Sequence, residues 1–318
     1  MSTFLPDSPS GICVAVRALL AFGPALRVRH SVRKGGQHTV SDKYDFVLGS
    51  VEASVVGQAL GVDIRRFPLR IRNTTIDRDR LRGLAARVGD RLAERGLLAG
   101  RSGGEPNPRL KRAFELLADH RVSVAVSGID ARQHDIAALL VTDGAEALRI
   151  TQRHGEDELY FTSLSDDDFL GTVADALPRM GAAPGAGATI RHSAAKYRSA
   201  YSAHKAAERD HEEAETQAFG NLKIVRMTET PRRSRGSTLT EEQQLGRALS
   251  GERMGVGRIV ASGHGGRATR RLLSWVDTDD GRHLIHIEET GDELVARYEP
   301  TGYADLSRAI RDLVADLY

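Results

Sequence analysis

Cysteine is almost absent from this 318-residue chain, in which Cys13 is the single thiol. One thiol cannot form a disulfide within the chain, and it cannot build a zinc site based on cysteine pairs. A reducing compartment is compatible with this composition. The sequence therefore has to be stabilised by a packed core, and its length is sufficient to bury a large one.

Long apolar runs are also missing, since no stretch reaches the roughly 18 residues that a helix needs to cross a bilayer. Ile12 to Leu26 is the best candidate, but Arg17 interrupts it. No Lys or Arg precedes it, so the positive start of a signal peptide is lacking. The sequence predicts a soluble, cytoplasmic protein with no membrane insertion.

A strong excess of one charge is lacking as well, because the formal net charge is +2. Nucleic-acid binding by counterion release needs clustered Lys and Arg rather than a slight excess. The Arg-rich segment Arg232–Arg235 contains no aromatic residue and has Glu229, Glu241 and Glu242 around it. A solvated loop is the preferred interpretation, so no nucleic-acid partner is predicted.

Catalytic and phosphate-binding motifs are missing too. There is no Gly-Lys-Ser/Thr loop and no HExxH sequence, and no GxSxG sequence lies between a predicted strand and a predicted helix, as a nucleophile elbow requires. Gly255-Val256-Gly257 lies within a predicted strand and has no third glycine, which favours a bulge or a close-packing position. His283 and His286 are three apart on a predicted strand and point to opposite faces.

One acidic segment, Asp277 to Gly281, resembles the start of a calcium loop, and Glu288 stands where the last carboxylate of such a loop belongs. Gly281 occupies a ligand position of that loop, and predicted strands rather than helices flank the segment. The preferred interpretation is a hairpin turn. No metal site and no cofactor are predicted, although an active site assembled from distant residues stays open.

The hydrophobic pattern predicts an α/β protein of the α+β type. Helical spacing is clearest in Leu81, Leu84, Val88 and Leu92, and period-two alternation is clearest in Val122, Val124 and Val126. The predicted helices are Glu52–Leu60, Asp77–Leu98, Pro108–His120, Asp166–Leu177, Ala194–Phe219, Thr238–Leu249 and Tyr303–Leu317. The predicted strands are Tyr44–Leu48, Phe67–Ile71, Val122–Val126, Ile136–Val141, Ala147–Gln152, Glu158–Thr162, Met254–Ala261, Thr269–Val276, His283–Glu288 and Leu294–Tyr298.

This order contains a repeat, because a helix, four strands and a helix occur twice. Local sequence agrees, since Gly155-Glu-Asp-Glu-Leu159 is similar to Gly291-Asp-Glu-Leu294. We expect two similar lobes, each with antiparallel strands flanked by helices, that pair and could join their sheets. The expected division is a disordered leader over 1–42, an N-terminal lobe over 43–180, a linker with a long polar helix and a basic loop over 181–237, and a C-terminal lobe over 238–318.

Several segments in the same order resemble the EspG family of actinobacteria. They are Phe46–Glu52, Gln58–Val62, Phe67–Leu69, Leu92–Leu97, Val122–Val126, Gly255–Gly257 and Trp275–Arg282. Together they extend over residues 43 to 318. The resemblance implies a quasi-two-fold α/β fold and a chaperone of type VII (ESX) secretion that binds helical PE–PPE heterodimers in the cytosol. It also implies a protein that is not an enzyme and uses no cofactor.

The resemblance also implies a partner surface, formed by the first sheet hairpin and the helix after the first lobe. In this chain the corresponding residues are Ile129, Asp130, Arg132, Gln133, His134, Tyr197 and Tyr201. The expected partner is a PE/PPE-like or WXG-type helical substrate. The helix from Ala194 is longer and more polar than the family pattern, so the substrate's identity stays open.

Two other classes of function remain open. One is a hydrolase with a dispersed active site, which a deep polar pocket with converging histidines and carboxylates would favour. The other is a structural or regulatory homodimer, since exposed sheet edges can pair.

Overall fold

The computed structural model describes residues 44–71, 78–99, 104–193, 252–263, 271–290 and 293–317. The predicted leader, the helices Ala194–Phe219 and Thr238–Leu249 and the Arg-rich loop lie outside these ranges. The division into a leader, two lobes and a linker stays a prediction.

Five helices and ten strands occur within the described ranges. The helices are α1 (Ser50–Leu60), α2 (Arg78–Glu94), α3 (Pro108–Ala118), α4 (Asp166–Asp175) and α5 (Tyr303–Ala315). The strands are β1 (Phe46–Gly49), β2 (Val122–Ile129), β3 (Asp135–Thr142), β4 (Glu146–Gln152), β5 (Glu158–Ser165), β6 (Ala188–Ser193), β7 (Arg253–Gly263), β8 (Arg271–Thr278), β9 (Gly281–Thr290) and β10 (Glu293–Pro300). No described helix is both long and apolar enough to cross a membrane.

By internal contacts the chain divides into two units. The larger comprises the described residues within Gln37–Gly187, Leu245–His286 and Tyr298–Tyr318. The described part of the smaller unit consists of β6, residues 287–290 and residues 293–297.

An antiparallel sheet forms the centre of the larger unit, with the strand order β1-β5-β4-β3-β2-β7-β8-β9. The two sequence repeats meet where β2 pairs with β7, with Val122 opposite Gly263 and Ile129 opposite Val256. From this junction β3, β4 and β5 follow on one side, and β8 and β9 follow on the other. The predicted antiparallel strands flanked by helices are confirmed, and the sheets of the two repeats are joined.

Helices cover both faces of this sheet. Successive apolar side chains of a strand point to opposite faces, so each face packs against its own layer of helices. In β2, Val124 and Val126 belong to the cluster that α4 and α5 complete, whereas Ala125 belongs to the cluster that α1, α2 and α3 complete. Phe114 of α3 is fully buried in the second of these clusters. Burial of the large side chains supplies the main stabilising free energy, about 1.5–3 kcal/mol for each.

Polar caps determine where the helices begin and end. Asn107 Oδ1 accepts a hydrogen bond from Leu110 N at 2.8 Å at the start of α3, and Ser165 Oγ accepts one from Asp168 N at 3.3 Å at the start of α4. α1 ends at Gly61, whose φ of 71° is the left-handed conformation that glycine adopts without strain. The predicted helix start at Asp166 and the predicted helix end at Leu60 are confirmed.

Two predicted details differ from the structure. Phe67–Ile71 is not a strand, because its backbone bonds are local and Pro68 has no N–H to donate to a ladder. Leu69 N donates to Arg66 O at 2.9 Å, which closes a turn instead. Strand β6 was not predicted, since Gly, Ala and Pro before it indicated only a linker.

Candidate functional site

The segments Gly255–Gly257 and Trp275–Arg282, which we call the C-terminal signature, contribute to packing. Trp275 is fully buried in the cluster of α4 and α5, and its indole lies directly over Gly257. A Cβ on Gly257 would come within 2.2 Å of Trp275 Cη2 and 2.4 Å of Ser127 O. The ladder of β7 and β8 also shifts register between Arg253 and Gly255. The predicted bulge or close packing at Gly255-Val256-Gly257 is therefore confirmed.

A buried ion pair occupies the acidic segment of the same signature. Arg282 Nε donates to Asp277 Oδ1 at 2.7 Å and Arg282 Nη2 donates to Asp277 Oδ2 at 2.8 Å, with both side chains almost fully buried. Arg282 Nη2 also donates to Pro178 O at 2.8 Å. β8 and β9 pair on either side of Asp279-Asp280, with Thr278 opposite Gly281, so the predicted hairpin turn is confirmed.

Metal-binding geometry does not occur within the described ranges, where no group of three or more His, Cys, Asp or Glu side chains is arranged to hold an ion. His283 is buried and His286 is partly exposed, on opposite faces of β9 as predicted. Burial lowers the pKa of His283 below its ordinary value. His283 therefore favours the neutral state inside the fold.

The loop between β2 and β3, residues 130–134, carries most of the predicted partner-binding residues. Asp130 Oδ1 accepts hydrogen bonds from Arg132 N at 2.8 Å and from His134 N at 2.9 Å. Asp130 N donates to His134 O at 3.0 Å, and Gln133 adopts a positive φ of 62°. The backbone of this hairpin loop is thus held in one conformation while Arg132, Gln133 and His134 are exposed.

The remaining predicted residues are placed differently. Ile129 is partly buried at the end of β2, opposite Val256 of β7, where it anchors the loop to the sheet. Tyr197 and Tyr201 lie outside the described residues. The structure therefore brings together five of the predicted residues, Ile129, Asp130, Arg132, Gln133 and His134.

The loop between β4 and β5, residues 153–157, lies beside the hairpin loop, and the sequence did not indicate that it belongs to the candidate site. His154 stacks on His134 with ring centroids 5.0 Å apart and planes 19° apart. His154 Nδ1 lies 3.0 Å from Asp135 Oδ2, and Arg70 Nη2 lies 2.9 Å from the same oxygen. Asp135 thereby links the two loops to the segment before α2.

Only one signal in the sequence indicates this neighbourhood. Alternate connections of an antiparallel meander lie at the same end of the sheet, so the β2–β3 and β4–β5 loops have to be close. No sequence pattern indicates that Arg70 lies near these loops, because Arg70 belongs to the irregular segment that follows α1.

Aromatic side chains hold the β4–β5 loop in place. The guanidinium of Arg153 lies 4.3 Å from the ring centroid of Tyr160 and donates to Tyr44 Oη at 2.7 Å. Tyr160 Oη donates to Glu156 Oε2 at 2.6 Å, and this bond raises the pKa of Tyr160. Tyr160 is therefore a donor here at neutral pH.

A shallow groove of about 300 Å³ lies between these elements. It is lined by Arg70, Ile71, Asp135, Ala137, Gln152, Arg153, Gly155, Glu156 and Asp157. Buried Gln152 accepts from Arg70 N at 2.7 Å and donates to Arg70 O at 3.1 Å, so the backbone at this edge of the groove is clamped. The arrangement offers preorganised hydrogen-bond donors and charges on a firm backbone, as a recognition surface requires.

Comparisons with known proteins agree with this architecture. The model of the EspG family matches residues 50–312. The solved structure of the Mycobacterium tuberculosis type VII secretion system chaperone EspG5 in complex with a PE25–PPE41 dimer is 9% identical in sequence, with a TM-score of 0.51. The likeness covers 85% of this chain and 95% of that chain, so the two share a fold. No curated protein matches the chain.

Proposed function

Because the chain belongs to the EspG family, we propose that it is a cytoplasmic chaperone that binds a PE/PPE-like or WXG-type helical substrate and keeps it soluble for type VII secretion. The observation that carries the proposal is the family match over residues 50–312. The fold shared with EspG5, which was solved with a PE–PPE dimer, supports it. The task requires binding and masking of an apolar helix tip and no catalytic step.

The partner surface that we propose includes the hairpin loop. Asp130 holds the loop backbone through four hydrogen bonds, because its carbonyl also accepts from Gln133 N at 2.9 Å. Little conformational entropy is therefore lost when a partner binds the loop. Arg132 and Gln133 are exposed at its tip and are available for polar contacts. Ile129 connects the loop to the joined sheets, which gives it a rigid base.

Co-expression with substrates tests this function. We expect a PE–PPE pair encoded beside type VII secretion components to co-purify with the chain and to become soluble because of it. WXG-type pairs are tested in parallel as the other expected substrate class. If neither class binds or gains solubility, the proposed function is wrong.

Loop variants test the proposed surface separately. Gln133→Gly removes the side chain while retaining a residue that adopts positive φ readily. Arg132→Ala removes an exposed cation, and Arg179→Ala is a matched control because the Arg179 side chain is 84% exposed beyond the end of α4. We expect the two loop variants to reduce capture of the pair and the control to leave it unchanged. Equal capture by all three would exclude the hairpin loop from the partner surface.

A further inference from the structure

The charges around the hairpin loop are unevenly exposed. The side chains of Arg70, His134 and His154 are 73%, 50% and 46% exposed. The side chains of Asp130 and Asp135 are 29% and 27% exposed. The hydrogen-bond donors therefore project farther into solvent than these two carboxylates. Glu156 of the β4–β5 loop is exposed as well, but its carboxylate accepts from Tyr160 Oη at 2.6 Å and lies 4.0 Å from Arg153 Nη1.

These carboxylates are occupied by contacts inside the site. Asp130 accepts the loop N–H groups of Arg132 and His134. Asp135 Oδ2 lies 3.0 Å from His154 Nδ1 and 2.9 Å from Arg70 Nη2, and Asp135 N donates to His154 Nδ1 at 3.1 Å. Since Asp130 Oδ1 and Asp135 Oδ2 are used internally, these two acids orient the donors around them.

Three of the donors, Arg70, His134 and His154, are also held relative to one another. The ring contact between His134 and His154 joins the two loops, and Gln152 clamps the backbone of Arg70 through a pair of hydrogen bonds. We define the donor surface as Arg70, Arg132, His134 and His154. Its preorganisation lowers the entropy cost of binding a complementary group.

We propose that the donor surface, and not the hairpin loop alone, recognises the partner, and that it receives the acidic C-terminal end of a helix. The last four carbonyls of a helix lack partners within the helix, and the helix dipole places negative charge there. A helix end that also carries Glu or Asp matches the outward donors in charge and in hydrogen bonding. This inference rests on the proposed function, because it describes which part of a helical substrate is bound.

The first experiment measures capture of a co-expressed PE–PPE pair by Arg70→Gln, His154→Gln and the double variant. Both residues lie outside the hairpin loop, so these variants distinguish the donor surface from the loop. We expect each single change to weaken binding about two- to fivefold, as for an exposed charge contact. Arg70→Glu introduces repulsion and is expected to weaken it further. Arg179→Ala is again the control, and circular dichroism checks the fold of each variant.

The second experiment uses the full chain labelled with ¹⁵N and a synthetic helical peptide. The peptide is rich in alanine, with three Glu residues in its last turn and a free terminal carboxylate. The matched peptide has Lys in place of those Glu residues and an amidated end. We expect the acidic peptide to shift the amide signals of residues 130–134 and 153–157, to lose this effect in Arg70→Glu, and to bind less well as salt rises. The basic peptide is expected to leave these signals unchanged.

The outcomes separate the two proposals. If the pair binds and the Arg70 and His154 variants capture it as well as the natural chain does, the donor surface is wrong while the chaperone function stands. If no pair binds, the chaperone function is wrong, and the peptide titration decides about the donor surface. Shifts with the acidic peptide alone would support it as a site for another acidic helix. Equal shifts with both peptides, or none with either, would overturn it.

Discussion

Breaking the ion pair of Asp277 and Arg282 should cost much more than breaking any surface pair. The two side chains are 0% and 2% exposed and are joined by two charge-assisted hydrogen bonds of 2.7 and 2.8 Å. Arg282→Met alone leaves an unpaired carboxylate in the core, and Asp277→Leu alone leaves an unpaired guanidinium. Each change should lower the free energy of unfolding by about 3–5 kcal/mol. That is a large share of the roughly 5–15 kcal/mol that stabilises a typical protein.

The double variant Asp277→Leu/Arg282→Met should be far more stable than the sum of the single changes implies. Both charges are gone, so no buried ion is left without a partner. What remains is the lost hydrogen bond from Arg282 Nη2 to Pro178 O, worth about 1 kcal/mol. We therefore expect a total loss of about 1–2 kcal/mol in the double variant instead of about 6–10 kcal/mol.

Urea unfolding followed by circular dichroism measures this cycle, with free energies extrapolated linearly to water. Lys111→Gln is the control, because Lys111 belongs to an exposed pair with Glu115 at 3.9 Å. The control should change stability by about 0.5 kcal/mol or less. Additive losses in the double variant would refute the reasoning, because they would mean that the two charges do not stabilise each other.

Other changes have outcomes that follow from packing and burial. Gly257→Ala should lower the free energy of unfolding in urea by about 1–3 kcal/mol. Adding Trp275→Phe to this variant should restore only part of the lost stability, because the close contact of the new Cβ with Ser127 O remains. Phe114→Ala should cost about 3–5 kcal/mol in the same assay because the ring is fully buried. Burial lowers the pKa of His283 below 6.5, so the unfolded chain binds this proton more tightly. The stability contributed by neutral His283 is therefore complete above pH 6.5 and is lost as the pH falls toward the folded pKa. Between about pH 7.5 and 5.5, the melting temperature should fall less in His283→Gln than in the natural chain. An unchanged slope in His283→Gln, or no loss in the other variants, would contradict these packing arguments.

Much of the fold could be predicted because the sheet alternates apolar residues with a clear period. Val122, Val124 and Val126 face one layer of helices, and the turns after each strand contain glycine or aspartate. The repeat then indicated two similar strand groups. The prediction of a strand at Phe67–Ile71 was wrong. Its apolar composition resembles that of a strand, but Pro68 and the local turn hydrogen bonds prevent pairing.

The candidate site could be predicted only in part. The hairpin loop could be located because it follows a recognisable strand pair, and its assignment to partner binding stays a prediction. His154 and Arg70 could not be found from their own sequence context, since an exposed histidine and an exposed arginine in turns are ordinary surface residues. They become significant only through the contact with His134 and the shared carboxylate of Asp135.

The sequence by itself determined most of the described strands, most boundaries of the described helices, the repeat and the family, because these depend on local periodicity, caps and the order of segments. Tertiary structure alone decided that the two repeats join through β2 and β7, that Gly257 makes room for Trp275, and that Arg282 neutralises Asp277 inside the core. It also decided which charges near the hairpin loop are occupied and which project outward. The physical reason is that pairing, burial and charge compensation depend on distances between residues far apart in the chain, which no local pattern encodes.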